Sequence, residues 1–415
     1  MTAHESARET SDRPGRQSLL WVLAAGRLIG AAGAFIAFAY FTIYLRTDLR
    51  LSLPAVGAIA ALLSAGAVGG GFVAGYAADR FGRRPAVLLN LGLEVVALGA
   101  LVFGRGTAAV ALLGFALGMA DGGLWPTFGA AVADILPAER RQGGFALLAV
   151  AVNAGAAVGP AVGGLLLPLG FARLFGTAAV GVALALAVLV WQLPETRPEE
   201  PAGAPAGQAV AGGYGVVAGD VTILAFFAIL LLPLVCMGLL ITFFPLAADT
   251  TAGVGPERFG LLFAFWGVLI AVFQLPVHRL VRRVRPLTAI AAGFALMALG
   301  FVPIALRPGI GGYLAGITAL AFSEMLASPP VGTLVANLAP VEARARYQSM
   351  IGLDWALGGV IAPLAAGVAY GNLSDRIFWL LAGVLALVSV PLFPLWRHGH
   401  ERVRQAEREA MAGEA

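Results

Sequence analysis

Apolar runs of about twenty residues or more recur along this chain, and no other property narrows its fold so far. Such a run, coiled as a helix rising ~1.5 Å per residue, crosses ~30 Å of hydrocarbon. Within lipid every backbone N–H and C=O must find its partner inside the segment, so runs of this kind fold as membrane-crossing helices. Twelve are read, near residues 19–45, 54–78, 85–104, 108–133, 143–168, 173–193, 219–247, 258–280, 286–306, 312–337, 347–370 and 376–396. The fold class expected is therefore an all-α membrane protein. Residues 1–18 are polar without a signal-peptide pattern, so the first helix is expected to be its own targeting signal.

Charge excludes several function classes. Of 415 residues only 12% are charged, against about a quarter in soluble domains. All 27 basic residues are arginine. A Walker A phosphate loop and a Schiff-base site both need lysine, so ATP drive within the chain and imine chemistry are not expected. The lone Cys236 cannot form an intrachain disulfide. The pair His398 and His400 offers two metal ligands without a third, no enzyme constellation is found, and neither metal nor cofactor is expected. Arginine placement predicts orientation. One set of loops carries Arg80, Arg83, Arg84, Arg140, Arg141, Arg197, Arg279, Arg282, Arg283, Arg285, Arg344 and Arg346, and the tails carry Arg8, Arg13, Arg16, Arg397, Arg402, Arg404 and Arg408. The alternate loops carry only Arg46, Arg50, Arg105, Arg173, Arg258, Arg307 and Arg376. Both termini are thus expected in the cytoplasm of a multi-pass inner or plasma membrane protein. The surplus of arginine reflects topology, and nucleic-acid binding is not needed to explain it.

Organisation follows from one linker and one repeat. Residues 194–218 form a long Pro-, Gly- and Ala-rich segment that reads as a flexible linker. It separates a cytoplasmic tail (1–18) and six helices (19–193) from six more (219–397) and a second tail (398–415). The halves repeat at an offset of 203 residues: Asp121 with Glu324, Pro126 with Pro329, Gly129 with Gly332, Pro137 with Pro340, Arg141 with Arg344 and Pro160 with Pro363. Membrane transporters built from parallel repeats show this kind of internal register.

Two motifs carry a family resemblance. Between the second and third helices runs Gly75-Tyr76-Ala77-Ala78-Asp79-Arg80-Phe81-Gly82-Arg83-Arg84-Pro85, in which Gly75 and Gly82 permit close helix approach and a tight turn. Topology explains its arginines but requires no acid. The pattern G-x-x-x-D-R-x-G-R-R resembles the signature loop of the major facilitator superfamily. On the fifth helix, Gly155, Gly159, Pro160, Gly163 and Gly164 resemble G-x-x-x-G-P-x-x-G-G of that superfamily's twelve-helix drug–proton antiporter branch, although small-residue spacing of this kind also serves simple helix packing. The resemblance implies two pseudo-symmetric six-helix bundles and a monomer that rocks around a central substrate site. It also implies that Asp79 contacts the inner start of helix 11 as a gate, and that helices 1, 4, 7 and 10 line the cavity. The second half's counterpart, Pro276 to Pro286, keeps basic charge but lacks the aspartate. The chain departs from the antiporter pattern on helix 4, where Gly114 stands in place of an arginine.

Intramembrane charges are functional candidates because an ionisable group at the bilayer centre costs ~2.5–3.5 kcal/mol on insertion scales. Asp121 and Glu324 lie at equivalent depths of helices 4 and 10 and are read as proton-coupling or substrate residues. Arg27 on helix 1 either snorkels or pairs with Asp121. Glu94 on helix 3 suits a structural pairing as well as a function, and Asp354 is a candidate for the gate. Trp125 and Phe128, with Phe41, are candidate cavity aromatics for a lipophilic, often cationic substrate; Phe38, Tyr44, Phe226, Phe243 and Phe244 are weaker ones. The function expected is proton-driven export of small lipophilic molecules or drugs. The alternatives are a proton-coupled symporter or facilitator of the same fold, and a non-transporting receptor.

Overall fold

In a computed structural model of the chain, the residues described are 13–197, 215–250, 253–281, 283–307, 309–340, 343–400, 403 and 405. Expectations placed on residues 1–12 and 198–214, on Arg282, Arg402, Arg404 and Arg408, and on the side chains of Arg13, Arg16 and Arg344 lie outside the described residues. Regular structure among the described residues is entirely helical. Among the described residues, twelve helices are long and apolar enough to cross a membrane. In chain order they are α1 (Arg13–Phe38), α2 (Leu53–Phe81), α3 (Arg83–Leu101), α4 (Thr107–Ile135), α5 (Ala138–Leu166), α6 (Phe171–Gln192), α7 (Val221–Thr242), α8 (Pro256–Val281), α9 (Pro286–Leu306), α10 (Ile310–Leu338), α11 (Arg344–Ala369) and α12 (Asp375–Gly399). The apolar runs thus mark every span, with ends moved by a few residues. The first span breaks at Ala39–Tyr40 before a short continuation, Phe41–Thr47, and the seventh breaks at Phe243 before Phe244–Thr250.

The chain divides into two compact units, one of residues up to 49 with 62–202, the other of 50–61 with 203 onward. In the first, α1 packs against α5 and α6, and α3 against α4 and α6. In the second, α7 packs against α11 and α12, and α9 against α10 and α12. These are the same pairings displaced by one half. The bounds repeat too, since α4 and α10 begin and end 203 residues apart. Residues 53–61 of α2 belong to the second unit, where a Cβ on Gly367 would lie 2.8 Å from the Leu53 carbonyl oxygen.

Lipid supplies no hydrophobic force between helices, so close contact rests on small residues and buried hydrogen bonds. The α5–α1 seam shows both. A Cβ would lie 2.7 Å from the Ala31 Cβ at Gly155, 2.7 Å from the Ala32 carbonyl oxygen at Gly159, and 2.5 Å from Tyr40 Cε2 at Gly163. These glycines recur every four residues, so one face of α5 lies on α1 with backbones nearly touching. The Tyr40 hydroxyl, at the break in the first span, donates to the Pro160 carbonyl oxygen at 2.7 Å. In the second unit Gly358 on α11 meets Leu234 of α7 in the same way, at positions 203 residues from Gly155 and Ala31.

Candidate functional site

The turn between α2 and α3 is built around one arginine and one unexpected carboxylate. Gly82 has φ +108°, a value that strains any residue with a Cβ, and this lets α2 end and α3 start within one residue. Arg83, first in α3, donates from Nη1 to Asp79 Oδ1 at 2.6 Å and from Nε to Asp134 Oδ2 at 2.8 Å. The Asp79 side chain is 77% exposed, whereas that of Asp134, near the end of α4, is 14% exposed. Glu195, just past α6, accepts from the backbone N–H groups of Arg83 (2.8 Å), Arg84 (3.3 Å), Thr196 (3.0 Å) and Arg197 (2.9 Å). It thereby places a negative charge on the open N-terminus of α3. Partial burial opposes the Glu195 charge, but the four N–H donors together outweigh it and hold the carboxyl below the usual carboxylate range. Arg84 donates to the Val190 carbonyl at 2.8 Å and Arg197 to that of Arg80 at 3.0 Å, tying α6 to the turn. Arg80 itself donates to the Tyr76 hydroxyl at 2.9 Å. An open cleft of about 540 Å³ runs along this joint, lined by Arg84, Pro85, Trp191 and Glu195 among others.

Two sequence expectations change here. Gly75 does not serve close helix approach: a Cβ there would meet nothing within 4 Å, so only Gly82 of the two glycines is sterically required. The linker does not begin at residue 194, because Pro194–Arg197 is bound to the start of α3; on its far side Gly215–Ala218 forms a helical turn with Val217 buried. Asp134 and Glu195 were not singled out from the sequence. The signal available was the acid in Pro194-Glu195-Thr196-Arg197, directly after the last apolar run of the first half.

Farther into the first unit, three charged side chains meet within the spans. Arg27 on α1 is 7% exposed and Glu94 on α3 is 0% exposed, while Asp121 on α4 is half-buried. Leu91 of α3 faces Gly30 of α1 and Asn90 of α3 faces Gly123 of α4, which brings together the helix segments that carry the three charges. No ion pair within 4.0 Å joins them among the described residues. The Arg27 guanidinium instead lies over the Phe128 ring, 5.7 Å from its centroid, a range at which cation–π attraction is effective. Arg27 therefore turns inward and does not snorkel. Its Nε and both carboxylate oxygens of Glu94 are buried without a hydrogen-bond partner. One turn below, Asn90 is the close neighbour of Gly123, so α3 and α4 approach tightly beneath the acids.

The remaining candidates divide by exposure. Trp125 is 53% exposed, but Phe128 and Phe41 are enclosed at 1% and 2%, leaving one of the three cavity aromatics with an open face. Phe226, Phe243 and Phe244 are fully buried and packed on other rings, Phe226 on Trp396, Phe243 on Tyr370 and Phe244 on Tyr313. They hold the second unit together and do not line free space. In that unit the Oε2 of Glu324, the hydroxyl of Ser323 and the Oδ2 of Asp354 are buried without partners. His400 Nδ1 lies 3.3 Å from the Thr222 hydroxyl, and no group of three metal-ligating side chains occurs among the described residues.

Residues 23–340 match the model of the Major Facilitator Superfamily. The chain is similar to an uncharacterized MFS-type transporter, YttB, of Bacillus subtilis (strain 168), with 25% identity over 401 residues, 94% of this chain and 98% of the relative. It is 24% identical over 393 residues to the multidrug resistance protein MdtH of Citrobacter koseri, covering 92% of this chain and 94% of that one. Among solved structures, the peptide transporter POT in complex with sulfate superposes with a TM-score of 0.76 at 19% identity, over 94% of this chain and 95% of the other. A bacterial homolog of the human lysosomal transporter Spinster, inward-facing and unoccupied, does so at 0.71 and 13% identity, over 97% and 98%. At these identities the solved structures share the fold alone. Twelve spans, a repeated pattern of helix pairing and a family match over most of the length converge on one assignment: the chain belongs to the Major Facilitator Superfamily, a family of membrane transporters and not of enzymes.

Proposed function

We propose that the chain is a secondary active transporter that exports small lipophilic molecules or drugs in exchange for protons by alternating access. The observation that carries this reading is the charged cluster on α1, α3 and α4. A carboxylate enclosed with no donor costs free energy in the ionised state, and a family that moves solutes gives such a group a use as a proton carrier. Asp121 is the half-buried acid of the cluster, and Trp125, four residues on and 53% exposed, offers an aromatic face to a lipophilic cation. The α5 glycine motif and the likeness to a multidrug resistance protein favour export over uptake. In the same reading the halves 19–193 and 219–397 move as bodies in a functional monomer. Both termini face the cytoplasm of the plasma membrane, and the Asp79 turn is part of the inner gate.

The test uses purified protein in liposomes carrying a preset proton gradient, with ethidium as a lipophilic cation among a compound panel. Export in exchange for protons predicts that ethidium on the inner-face side dissipates the gradient, and that Asp121→Asn abolishes this while preserving insertion. An Asp121→Asn protein with full proton-coupled transport would remove Asp121 from the mechanism. Proton-coupled uptake of peptides or metabolites is the second reading, favoured by the fold shared with a peptide transporter; proton and substrate moving in the same direction would establish it. For the gate, Asp79→Asn is expected to insert normally and to raise labelling of cysteines introduced on the inner side, and unchanged labelling would refute that role.

A further inference from the structure

The two halves build the same corner from different chemistry. At the 203-residue offset, Arg27 corresponds to Leu230, Glu94 to Met297 and Asp121 to Glu324. Leu230 and Met297 are 2% and 1% exposed, as enclosed as Arg27 and Glu94. The second half therefore packs α7 and α9 with apolar side chains where the first half buries a guanidinium and a carboxylate. Packing alone requires neither charge, and well-packed apolar side chains are often as stable as a buried ion pair or more so.

The surroundings of Glu94 define its charge balance. Of the helices packed against α3, α4 presents Asp121 and α6 carries no ionisable group beyond Arg173 in its first turn; α1, whose Gly30 faces Leu91 of α3, presents Arg27. On α3 itself the nearest charge is Arg84, ten residues away, or ~15 Å of helical rise. One guanidinium thus serves two carboxylates. The trio is neutral only with a single proton on the acids, and such a proton belongs to the pair and not to either residue alone.

We propose that Glu94 is the proton-holding residue of the first half, working with Asp121 as exit and Arg27 as fixed counter-ion. This deepens the antiport reading and rests on it for the use made of the proton. In the loaded state Glu94 carries the proton and ionised Asp121 balances Arg27. On release the Glu94 O–H bond breaks and the proton passes to Asp121, the one acid of the two with accessible surface, while Glu94 takes over as the anion facing Arg27. Loss of the proton from Asp121 to water leaves the trio with a net charge of −1, complementary to a lipophilic cation. Neutral and anionic states of the trio are then the two loading states of an exchanger.

The experiment titrates the lipid-reconstituted full chain and follows the carboxyl C=O infrared band, which reports protonated acids without any substrate. Wild type is expected to show a protonated-carboxyl band that disappears on alkalinisation. Glu94→Gln and Glu94→Met remove it, whereas Glu324→Gln leaves a residual Glu94 signal. Arg27→Leu is expected to add a second protonated carboxyl, a change that a packing role would not produce. An unchanged band in both Glu94 variants overturns the proposal, whether or not the protein exports ethidium. Loss of folded protein in both variants also overturns it, because Glu94 would then be a packing residue. Loss of the band in both Glu94 variants, with a wild type that shows no ethidium–proton exchange, leaves Glu94 as the proton holder and refutes the export reading instead.

Discussion

Replacing Gly159 by alanine separates helix packing from helix propensity, because α5 also carries a glycine with room around it. A Cβ at Gly159 would lie 2.7 Å from both the Ala32 carbonyl oxygen and the Phe35 Cβ, where carbon contacts are comfortable at ~3.5–4.0 Å. α5 must then withdraw from α1 by ~1 Å, and a gap of that size forfeits up to about half of each neighbouring contact. Overpacking of this kind costs ~1–3 kcal/mol. Alanine's advantage over glycine inside a helix, ~1 kcal/mol, works in the other direction. The net loss expected for Gly159→Ala is therefore ~0–2 kcal/mol. A Cβ at Gly143 meets nothing within 4 Å, so Gly143→Ala keeps a gain of ~0.5–1 kcal/mol. The difference between the two variants isolates the steric effect. At ~2–4 °C per kcal/mol for units of this size, Gly159→Ala should melt several degrees below Gly143→Ala in thermal scans of purified protein at one heating rate. Coincident melting would show slack between α1 and α5 and refute the packing argument.

Other outcomes follow from the α2–α3 turn and the α1 break. Asp134→Ala should destabilise by ~1–3 kcal/mol, since it strips a largely buried charged hydrogen bond from Arg83, and Asp79→Ala by no more than ~1 kcal/mol, since that partner is exposed; equal melting shifts would contradict the exposure argument. The Glu195 carboxyl is held below its ordinary range, so its contribution is complete above the unfolded value, ~4.3, and is lost as pH falls through the lower folded value. Glu195→Gln should accordingly flatten the acid limb of a melting-temperature profile, and superimposable acid limbs would count against the four-donor cap. Tyr40→Phe removes a buried hydrogen bond to Pro160 and should lower stability by ~1 kcal/mol, read by the same melts; no shift would mean that the Pro160 carbonyl finds another donor.

The α2–α3 turn shows why part of this site was legible in the sequence and part was not. Asp79 stands out because it is an acid among arginines whose presence topology already explains. Asp134 and Glu195 do not stand out, since each follows an apolar run where an acid is unremarkable. Only folding brings the end of α4 and the residues after α6 to Arg83. Gly75 illustrates the converse: its spacing from Gly82 suggests close contact, yet spacing along a helix cannot show whether a neighbour faces it.

The sequence by itself determined the twelve spans, their division into repeated halves and the family, because span length and internal register are properties of consecutive residues that lipid enforces one segment at a time. It also marked Arg27, Glu94, Asp121 and Glu324 as costly to bury. Tertiary structure alone decided how those charges are placed. Arg27 turns onto Phe128, Glu94 is fully enclosed, and the equivalent corner of the second half closes on Leu230 and Met297. Charge balance depends on distance and enclosure across helices far apart in the chain, and no pattern within one helix specifies either.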